Sequence, residues 1–262
     1  MAFTAAVQSP RALDEAYRIL ADRGDRIRVI AGGTDLMVLM NARLLDDREF
    51  LDIWRLAELR GIIDDGQALR IGALESYTHL IASPLVQQHA PSLVAASRTI
   101  GAIQIQNRGT LGGNIVNASP AGDTLPVLAA FDAEIEIGSS RGTRRVGFNQ
   151  FYTGYRRTVL KPDELVIAVR LPKLQPGERD FFYKVGTRRA QAISKVVMAA
   201  RAKLAGERIE SIQIGVGSVA PTVIRASQTE ALLAGAVLAR DAIDRACETI
   251  AREVTPITDV RS

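Results

Sequence analysis

The sequence contains very little cysteine and histidine, with one cysteine (Cys247) and two histidines among its 262 residues. A single cysteine excludes an intrachain disulfide framework and an iron–sulfur cluster ligated by this chain alone. The same shortage excludes a structural zinc site of the usual kind, which needs four cysteine or histidine ligands. We therefore expect no metal site on this chain, and any redox centre must be organic or borrowed.

Long apolar runs and blocks of one charge are also missing. The longest apolar runs are far shorter than the roughly 20 residues that a membrane-spanning helix needs, and the opening MAFTAAVQSP lacks the pattern of a secretory signal. Basic residues exceed acidic ones by only 33 to 29, a net charge of +4, and they are scattered along the chain. Nucleic acid is therefore not an expected partner. We expect a cytoplasmic, soluble protein without a membrane span.

The apolar content of the chain is sufficient for folding. Hydrophobic residues make up 47% and charged residues 24% of the sequence, which is typical of globular rather than disordered proteins. This length allows one large domain or two of ordinary size. Two prolines and a glycine interrupt all periodicity between Pro172 and Glu178. We therefore predict a domain boundary there, which separates residues 1–173 from residues 179–262.

Local patterns predict both helices and strands. A helix is predicted over 10–23, with Ser9 as its N-cap and Gly24 as its end, followed by a strand over 27–31 and a short helix over 35–41. Further along, the patterns predict hairpins over 61–72 and 133–146, helices over 84–98, 124–131 and 228–253, a strand over 165–171, and an antiparallel pair over 194–204 and 208–216. The segment 101–123 contains glycines without a clean period and is predicted to be an extended loop.

A first glycine segment follows the short strand near the N-terminus. Residues 29–35 read VIAGGTD, so Gly32 and Gly33 stand between the end of a strand and the predicted start of a helix. Glycine lets backbone amides approach an anion closely, and a helix N-terminus favours negative charge. An ordinary tight turn between a strand and a helix explains the same residues, so this segment alone leaves both interpretations open.

A second glycine segment lies further along the chain. Residues 107–123 read NRGTLGGNIVNASPAGD, in which glycines alternate with small hydroxyl and amide side chains. Such a loop offers backbone donors with little bulk, which suits a pyrophosphate, and Asp123 can accept hydrogen bonds from ribityl or ribose hydroxyls. The order of glycines matches neither GxGxxG nor the Walker A motif, and a structural glycine-rich loop remains the alternative. Together the two segments favour a dinucleotide site, because a pyrophosphate can be held from more than one side.

These segments resemble a known family. AGGTDL (Ala31 to Leu36), RGTLGGNIVNASPAGDTLPVL (Arg108 to Leu128) and FYKVGTRRAQAIS (Phe182 to Ser194) resemble the FAD-binding subunit or domain of molybdenum-containing hydroxylases, a group that includes xanthine dehydrogenase and carbon monoxide dehydrogenase. The resemblance spans essentially the whole chain and implies an α+β fold. It implies a two-part FAD-binding domain of the vanillyl-alcohol-oxidase (PCMH) type, followed by a smaller α+β domain with a three-stranded antiparallel sheet.

The resemblance also implies that the cofactor is FAD and implies which residues contact it. We expect noncovalent FAD, because the sole cysteine is remote and no histidine lies in either glycine segment. No catalytic residue is expected on this chain. The implied cofactor contacts are Val29, Ile30, Ala31, Gly32, Gly33, Thr34, Asp35 and Leu36 in the first segment, Thr110, Leu111, Gly112, Gly113 and Asn114 in the second, and Ile100, Asp123, Val166 and Lys184 elsewhere.

The implied activity is that of an electron-transfer subunit of an oxidoreductase. Molybdopterin is expected on a large partner subunit and [2Fe–2S] clusters on a small one, in a heterotrimer or a dimer of heterotrimers. FAD on this chain is expected to pass electrons to NAD, oxygen or another acceptor. The alternative is a flavin-free assembly or binding protein of the same fold. A stand-alone flavin oxidase is disfavoured, because no acid–base pair is evident near the cofactor segments.

For most of the other notable residues we expect a structural role rather than a functional one. His79 belongs to no cluster of potential ligands, and Cys247 is predicted to be a small core residue on the apolar side of the last helix. Trp54 is expected to pack against protein rather than a ligand. Arg188 and Arg189 remain open between contact with a phosphate or a partner and an ordinary surface position.

Overall fold

The computed structural model describes residues 6–45 and 49–257 of the chain. The outer ends of the two predicted domains, residues 1–5 and 258–262, lie outside the described residues. Within the described residues the chain forms ten α-helices and fourteen strands, and the strands are arranged in four sheets. None of the helices among these residues combines the length and the apolar character needed to cross a bilayer.

The elements fall into three portions. The first contains β1 (Ala6–Gln8), α1 (Leu13–Arg23), β2 (Arg28–Ile30), α2 (Leu36–Asn41) and β3 (Glu49–Asp52). The second contains β4 (Ile62–Asp64), β5 (Ala68–Gly72), α3 (Tyr77–Ala82), α4 (Pro84–His89), α5 (Pro91–Arg98), α6 (Ile103–Arg108), α7 (Leu111–Asn117), α8 (Leu125–Ala130), β6 (Glu134–Ser139), β7 (Gly142–Gly147), β8 (Tyr152–Gly154), β9 (Arg157–Thr158) and β10 (Leu165–Pro172). The third contains β11 (Glu178–Gly186), β12 (Ser194–Ala205), β13 (Arg208–Gly217), β14 (Ile224–Arg225), α9 (Ser227–Leu233) and α10 (Arg240–Glu253).

The first portion is a small parallel sheet with the strand order β1-β3-β2. Helix α1 packs on it through Ala16 and Tyr17 and, one helical turn later, Leu20, all of which are buried. The prediction that Ser9 caps this helix is wrong. Helix α1 begins only at Leu13, because the Glu58 carboxylate accepts the hydrogen bond of the Leu13 amide at 2.9 Å and supplies the cap from another element.

The second portion is built on an antiparallel sheet with the strand order β4-β5-β10-β6-β7. Its central strand β10 is a nearly continuous apolar run, as expected for a strand covered on both faces. Leu165 and Ile167 of β10 face the core that includes α1, whereas Val166 and Val169 face the larger core that includes helices α3 to α8. Strand β10 therefore joins the first two portions.

The third portion is an antiparallel sheet with the strand order β11-β12-β13-β14. Three long strands carry the sheet, and the two-residue strand β14 adds a short edge. Residues of α9 and α10 pack against β13 in a separate core. Helix α8 of the second portion packs against β12 and β13, and α5 packs against β11. The α+β architecture implied by the sequence is confirmed, and the smaller sheet is in direct contact with the helices of the larger portion.

Most of the predicted elements are confirmed, including both hairpins, strand β10, the β12–β13 pair and the C-terminal helices. The single helix predicted over 84–98 is divided into α4 and α5. Pro91 causes the division, since the residue before a proline, here Ala90 with φ −154°, is driven out of helical conformation. Cys247 is exposed rather than buried, because Ala246 and Ile250 take the inward positions of α10.

The prediction of an extended loop over 101–123 is wrong, because the segment contains α6 and α7. Helix α7 buries Leu111 and Ile115, which are four residues apart and point into the larger core. Thr110 caps this helix, and its hydroxyl accepts a hydrogen bond from the Gly113 amide at 3.0 Å. Two apolar residues within a glycine-rich stretch are too weak a periodic signal to reveal a helix that packing stabilises.

Candidate functional site

A cavity of about 390 Å³ lies between the first portion and the five-stranded sheet. This volume falls within the range of about 300 to 1,000 Å³ that is usual for small-molecule sites. Residues of the β2–α2 loop, the turn after β5, helix α7 and strand β10 form its walls. Twelve of the predicted cofactor contacts line this cavity: Val29, Ala31, Gly32, Gly33, Thr34, Asp35, Leu36, Thr110, Gly112, Gly113, Asn114 and Val166.

The first glycine segment presents unused backbone donors to the cavity. Within the described part of the chain, the amides of Gly32, Gly33, Thr34 and Asp35 have no hydrogen-bond acceptor. Gly33 has a φ of +77°, a left-handed conformation that glycine adopts without strain and that turns the chain from β2 into α2. Several amides directed to one concavity form a site for an anion such as a pyrophosphate.

The two glycine segments are in direct contact. A Cβ atom added to Gly32 would lie 1.7 Å from the carbonyl oxygen of Arg108, at the end of α6. No side chain fits in that space, so glycine is required at position 32 for packing. Trp54 lies beside this contact, with the guanidinium of Arg108 at 3.9 Å and that of Arg60 at 4.6 Å from its ring centroid. The expectation that Trp54 packs against protein is thereby confirmed.

The glycine pair of the second segment and its neighbours Leu111 and Asn114 use their amides within the protein. The Leu111 amide donates to the carbonyl oxygen of Glu75 at 3.0 Å, and the Gly112 amide donates to that of Ala73 at 2.9 Å. The amides of Gly113 and Asn114 both donate to oxygens of Thr110. The sequence-based expectation of many free donors in this segment is therefore wrong. Its glycines instead allow close packing, since a Cβ atom added to Gly112 would lie 2.7 Å from Ala73 and one added to Gly113 would lie 2.8 Å from Thr110.

A polar chain of three residues borders the same cavity. The Asn117 side-chain amide donates to the Asp35 carboxylate at 3.0 Å, and the Arg156 guanidinium donates to the Asn117 side-chain oxygen at 3.1 Å. All three residues line the cavity, and Arg156 stands in the β8–β9 turn with a φ of +53°. Desolvation raises the pKa of Asp35, and the charge of Arg156 and the Asn117 hydrogen bond oppose that rise.

Two further ionisable residues form part of the cavity wall. Burial raises the pKa of the Tyr77 phenol, so this group remains protonated and neutral. Arg144 donates two hydrogen bonds, of 2.9 and 2.7 Å, to the Glu164 carboxylate and lowers its pKa, so Glu164 remains charged. Neither residue is predicted by a local sequence signal, since each lies far from the glycine segments in the chain.

A buried ion pair lies apart from this cavity. Lys184 on β11 donates from Nζ to Oδ2 of Asp123 at 2.6 Å. The Ser194 hydroxyl donates to Oδ1 of the same carboxylate at 2.6 Å, and the Thr99 hydroxyl lies 3.3 Å from Oδ2. Lys184 and Thr99 also line a second, more open cavity of about 440 Å³, whose other walls include Arg188.

The structure does not bring every predicted contact to the first cavity. Leu111 is fully buried in the larger core, and Ile100 packs against the same core beside Thr99. Ile30 does not line the cavity, although its neighbours Val29 and Ala31 do. The cavity also has walls that the sequence did not predict: Arg28, Leu39, Leu45, Ile53, Ala73, Leu74, Tyr77, Val116, Asn117, Arg156, Leu160, Glu164 and Leu165. Of these, only Val116 and Asn117 lie within the second glycine segment.

Both parts of the chain match models of known families. A family described as the FAD binding domain in molybdopterin dehydrogenase matches residues 2–174, and a family described as the CO dehydrogenase flavoprotein C-terminal domain matches residues 181–262. The xanthine dehydrogenase FAD-binding subunit of Escherichia coli O157:H7 is 35% identical over 254 residues, which cover 95% of this chain and 86% of that protein. The carbon monoxide dehydrogenase medium chain of Hydrogenophaga pseudoflava is 30% identical over 256 residues, which cover 97% of this chain and 88% of that protein.

Solved structures share the whole fold. Carbon monoxide dehydrogenase from Hydrogenophaga pseudoflava, in a form lacking the Mo-pyranopterin moiety of its molybdenum cofactor, has a TM-score of 0.95 at 30% identity. That match covers 99% of this chain and 90% of the other. Quinoline 2-oxidoreductase from Pseudomonas putida 86 has a TM-score of 0.92 at 28% identity, with the same coverage of the two chains.

Proposed function

The chain belongs to the family of FAD-binding medium subunits of xanthine and carbon monoxide dehydrogenases, and from that premise we propose that it relays electrons through FAD within a molybdenum hydroxylase complex. In this proposal a large partner subunit holds molybdopterin and a small one holds [2Fe–2S] clusters, as a heterotrimer or a dimer of heterotrimers. FAD held by this chain would supply electron transfer between the clusters and a terminal acceptor such as NAD.

The observation that carries the proposal is the set of unpaired amides at Gly32, Gly33, Thr34 and Asp35 on the wall of the first cavity. An anion placed there would satisfy donors that otherwise have no acceptor among the described residues. Gly112 and Gly113 of the second segment line the same cavity and have no side chains to fill it, which leaves room for a ligand against these donors. The donor set and the cavity therefore fit the pyrophosphate of FAD.

We assign the other predicted contacts by their positions. The apolar wall at Val29, Leu36 and Val166 would exclude water from the cofactor. Lys184, which is held by Asp123 at the edge of the second cavity, would lie toward the flavin end. Bound FAD supplies reversible electron acceptance, which amino-acid side chains lack. The residues of this chain hold and orient the cofactor, and their charges adjust the ease of its reduction. We propose that the cofactor is bound noncovalently.

We also propose that the chain consists of two domains, residues 1–173 and 179–262. The support is the end of β10 at Pro172 and the start of β11 at Glu178, with two prolines and a glycine in or beside the connection. The cytoplasmic location likewise stays a prediction, which cell fractionation would test.

The first experiment is a visible absorption spectrum of the purified chain, repeated on the supernatant after acid precipitation. We expect a yellow protein that releases free FAD into the supernatant. Colour retained in the precipitate would contradict noncovalent binding. A colourless chain that also fails to take up added FAD would contradict the proposal and favour a flavin-free assembly protein.

A second experiment tests the direction of electron flow in the assembled complex. After removal of FAD, we expect substrate still to reduce the iron–sulfur clusters, whereas reduction of NAD or another terminal acceptor stops and returns when FAD is added back. If acceptor reduction persists without FAD, electrons leave the complex by another route. Turnover of a small substrate by the isolated chain would instead support a stand-alone oxidase.

A further inference from the structure

Ser194 is part of the buried cluster around Asp123. One carboxylate oxygen, Oδ1, accepts the Ser194 hydroxyl at 2.6 Å. The other, Oδ2, accepts Lys184 Nζ at 2.6 Å and the Thr99 hydroxyl at 3.3 Å. The Thr99 carbonyl oxygen also accepts a hydrogen bond from Lys184 Nζ at 3.3 Å. Asp123 is therefore held from both sides, by an ammonium on one oxygen and by a serine hydroxyl on the other.

The cluster is well shielded from water. Asp123 and Ser194 are 7% and 5% exposed, and the Lys184 side chain is 10% exposed. In such surroundings a hydrogen bond to a charged group is stronger than at the surface, and its loss is not fully compensated by water. Removal of the Ser194 hydroxyl should therefore change the charge distribution on Asp123 measurably.

The four residues come from different portions of the fold. Asp123 and Thr99 belong to the helical layer of the second portion, whereas Lys184 lies on β11 and Ser194 is the first residue of β12. Ser194 pairs with Gly186 across these strands, next to an irregularity in the register. The connection between the two strands forms much of the second cavity, which Lys184 also lines. The cluster thus joins the third portion to the second portion at the edge of that cavity.

We propose that Ser194 is a positioning residue that acts through Asp123 on Lys184. By holding Oδ1, the Ser194 hydroxyl directs Oδ2 to the ammonium and withdraws part of the negative charge of the carboxylate. The balance between Asp123 and Lys184 then determines the charge that the chain presents at the flavin end of the cofactor. This inference rests on the proposed function and extends it, because it assigns the third portion a role in adjusting the flavin.

Electrostatics determines whether each substitution raises or lowers the midpoint potential of bound FAD. A flavin gains negative charge when it is reduced, so nearby negative charge disfavours reduction. Loss of the Ser194 hydroxyl leaves more negative charge on Asp123, and the midpoint potential of bound FAD should fall. Asp123→Asn removes the negative charge and should raise the potential. The two substitutions therefore act in opposite directions, which a general disturbance of the fold would not produce.

The test compares Ser194→Ala with Ser194→Thr, which keeps the hydroxyl, and with Ser92→Ala. Ser92 is a matched control, because it is also buried and its hydroxyl has no partner among the described residues. For Ser194→Ala we expect a change of about tenfold in the equilibrium for two-electron reduction of bound FAD, or about 30 mV. The two other variants should stay within about twofold of wild type. An unchanged potential in Ser194→Ala, or an equal shift in Ser92→Ala, would overturn the proposal.

A second measurement needs no flavin. The unfolding equilibria of the flavin-free chain, Ser194→Ala, Lys184→Met and the double variant form a thermodynamic cycle. We expect the two substitutions to be coupled by at least about threefold in the unfolding equilibrium constant. Independent effects would show that Ser194 does not act on Lys184. If wild type binds no FAD, the proposed function fails, while this cycle still decides whether Ser194 positions the pair.

Discussion

The two glycine segments beside the first cavity use their backbone amides in opposite ways. In the first segment, Gly32 to Asp35 leave their amides without an acceptor among the described residues. In the second, Leu111 to Asn114 donate to Ala73, to Glu75 and to Thr110. Both segments contain adjacent glycines next to small polar residues, yet only in the first are the amides of the glycine pair without an acceptor among the described residues.

The difference arises from the neighbours of each segment. The second segment lies against the turn after β5, whose carbonyl oxygens accept its amides and hold α7 in place. The first follows a strand end and meets the carbonyl of Arg108 only on the side of Gly32. A glycine-rich sequence is therefore compatible with anion binding or with close packing, and the available acceptors decide between them.

Gly32→Ala should have the largest effect, because its Cβ would overlap the Arg108 carbonyl oxygen and separate the two segments. We expect a loss of about 3 kcal/mol in the free energy of unfolding, together with loss of FAD retention. Denaturant unfolding and the flavin content of the purified protein measure both. Gly154→Ala is the control, since a Cβ there meets no atom of the described residues within 4 Å. Equal stability of the two variants would refute the packing role of Gly32.

Hydrogen exchange tests the contrast directly. Without FAD, the amides of residues 32–35 should exchange rapidly, whereas those of residues 111–114 should already be protected by their protein acceptors. Addition of FAD should slow hydrogen exchange of the amides of residues 32–35 at least about tenfold, because the pyrophosphate then accepts their hydrogen bonds. Protection of both sets to the same extent by FAD would mean that the second segment also supplies donors.

Thr110→Ala tests the structural role of the second segment. It removes the oxygen that accepts the Gly113 amide at the start of α7, and we expect a cost of about 1 kcal/mol in the unfolding of the flavin-free chain. Thr110→Ser, which keeps the oxygen, should remain within about 0.5 kcal/mol of wild type. If both variants retain full stability, the cap does not hold the segment.

Arg156→Ala tests the polar chain at the cavity. We propose that the guanidinium, held by Asn117, attracts the anionic part of FAD, and we expect a loss of affinity of about fivefold, or about 1 kcal/mol. Its neighbour Arg157 does not line the cavity, so Arg157→Ala should change the affinity less than twofold. Titration with FAD at two salt concentrations provides a check. Added salt should weaken FAD binding by wild type more than FAD binding by Arg156→Ala, because salt screens the charge of Arg156.

The smallest predicted effect is a change in the free energy of unfolding at low pH. Arg144 lowers the pKa of Glu164, so this residue stabilises the folded chain above the ordinary pKa of glutamate, and the contribution disappears as pH falls through the lowered value. The difference in unfolding free energy between wild type and Glu164→Gln should therefore shrink by about 0.5 kcal/mol between pH 6 and pH 3. Parallel pH profiles of the two proteins would contradict this.

Much of the secondary structure could be predicted from local pattern. The Asp65-Gly66 hairpin and the β12–β13 pair follow from turn residues between alternating or apolar runs. Helix α7 could not be predicted, since its glycines contribute little helix propensity and its start is stabilised by Thr110 and by acceptors near β5. The N-terminus of α1 was equally hidden, because its cap comes from Glu58.

The sequence by itself determined the family, the two glycine segments and twelve residues of the first cavity. These follow from contiguous motifs, whose residues remain neighbours in any fold. Only the tertiary structure decided which amides are free, which side chains close the cavity from afar and which serine supports the Asp123–Lys184 pair. Those properties depend on groups that are distant in the chain, and packing alone determines which donors and acceptors meet.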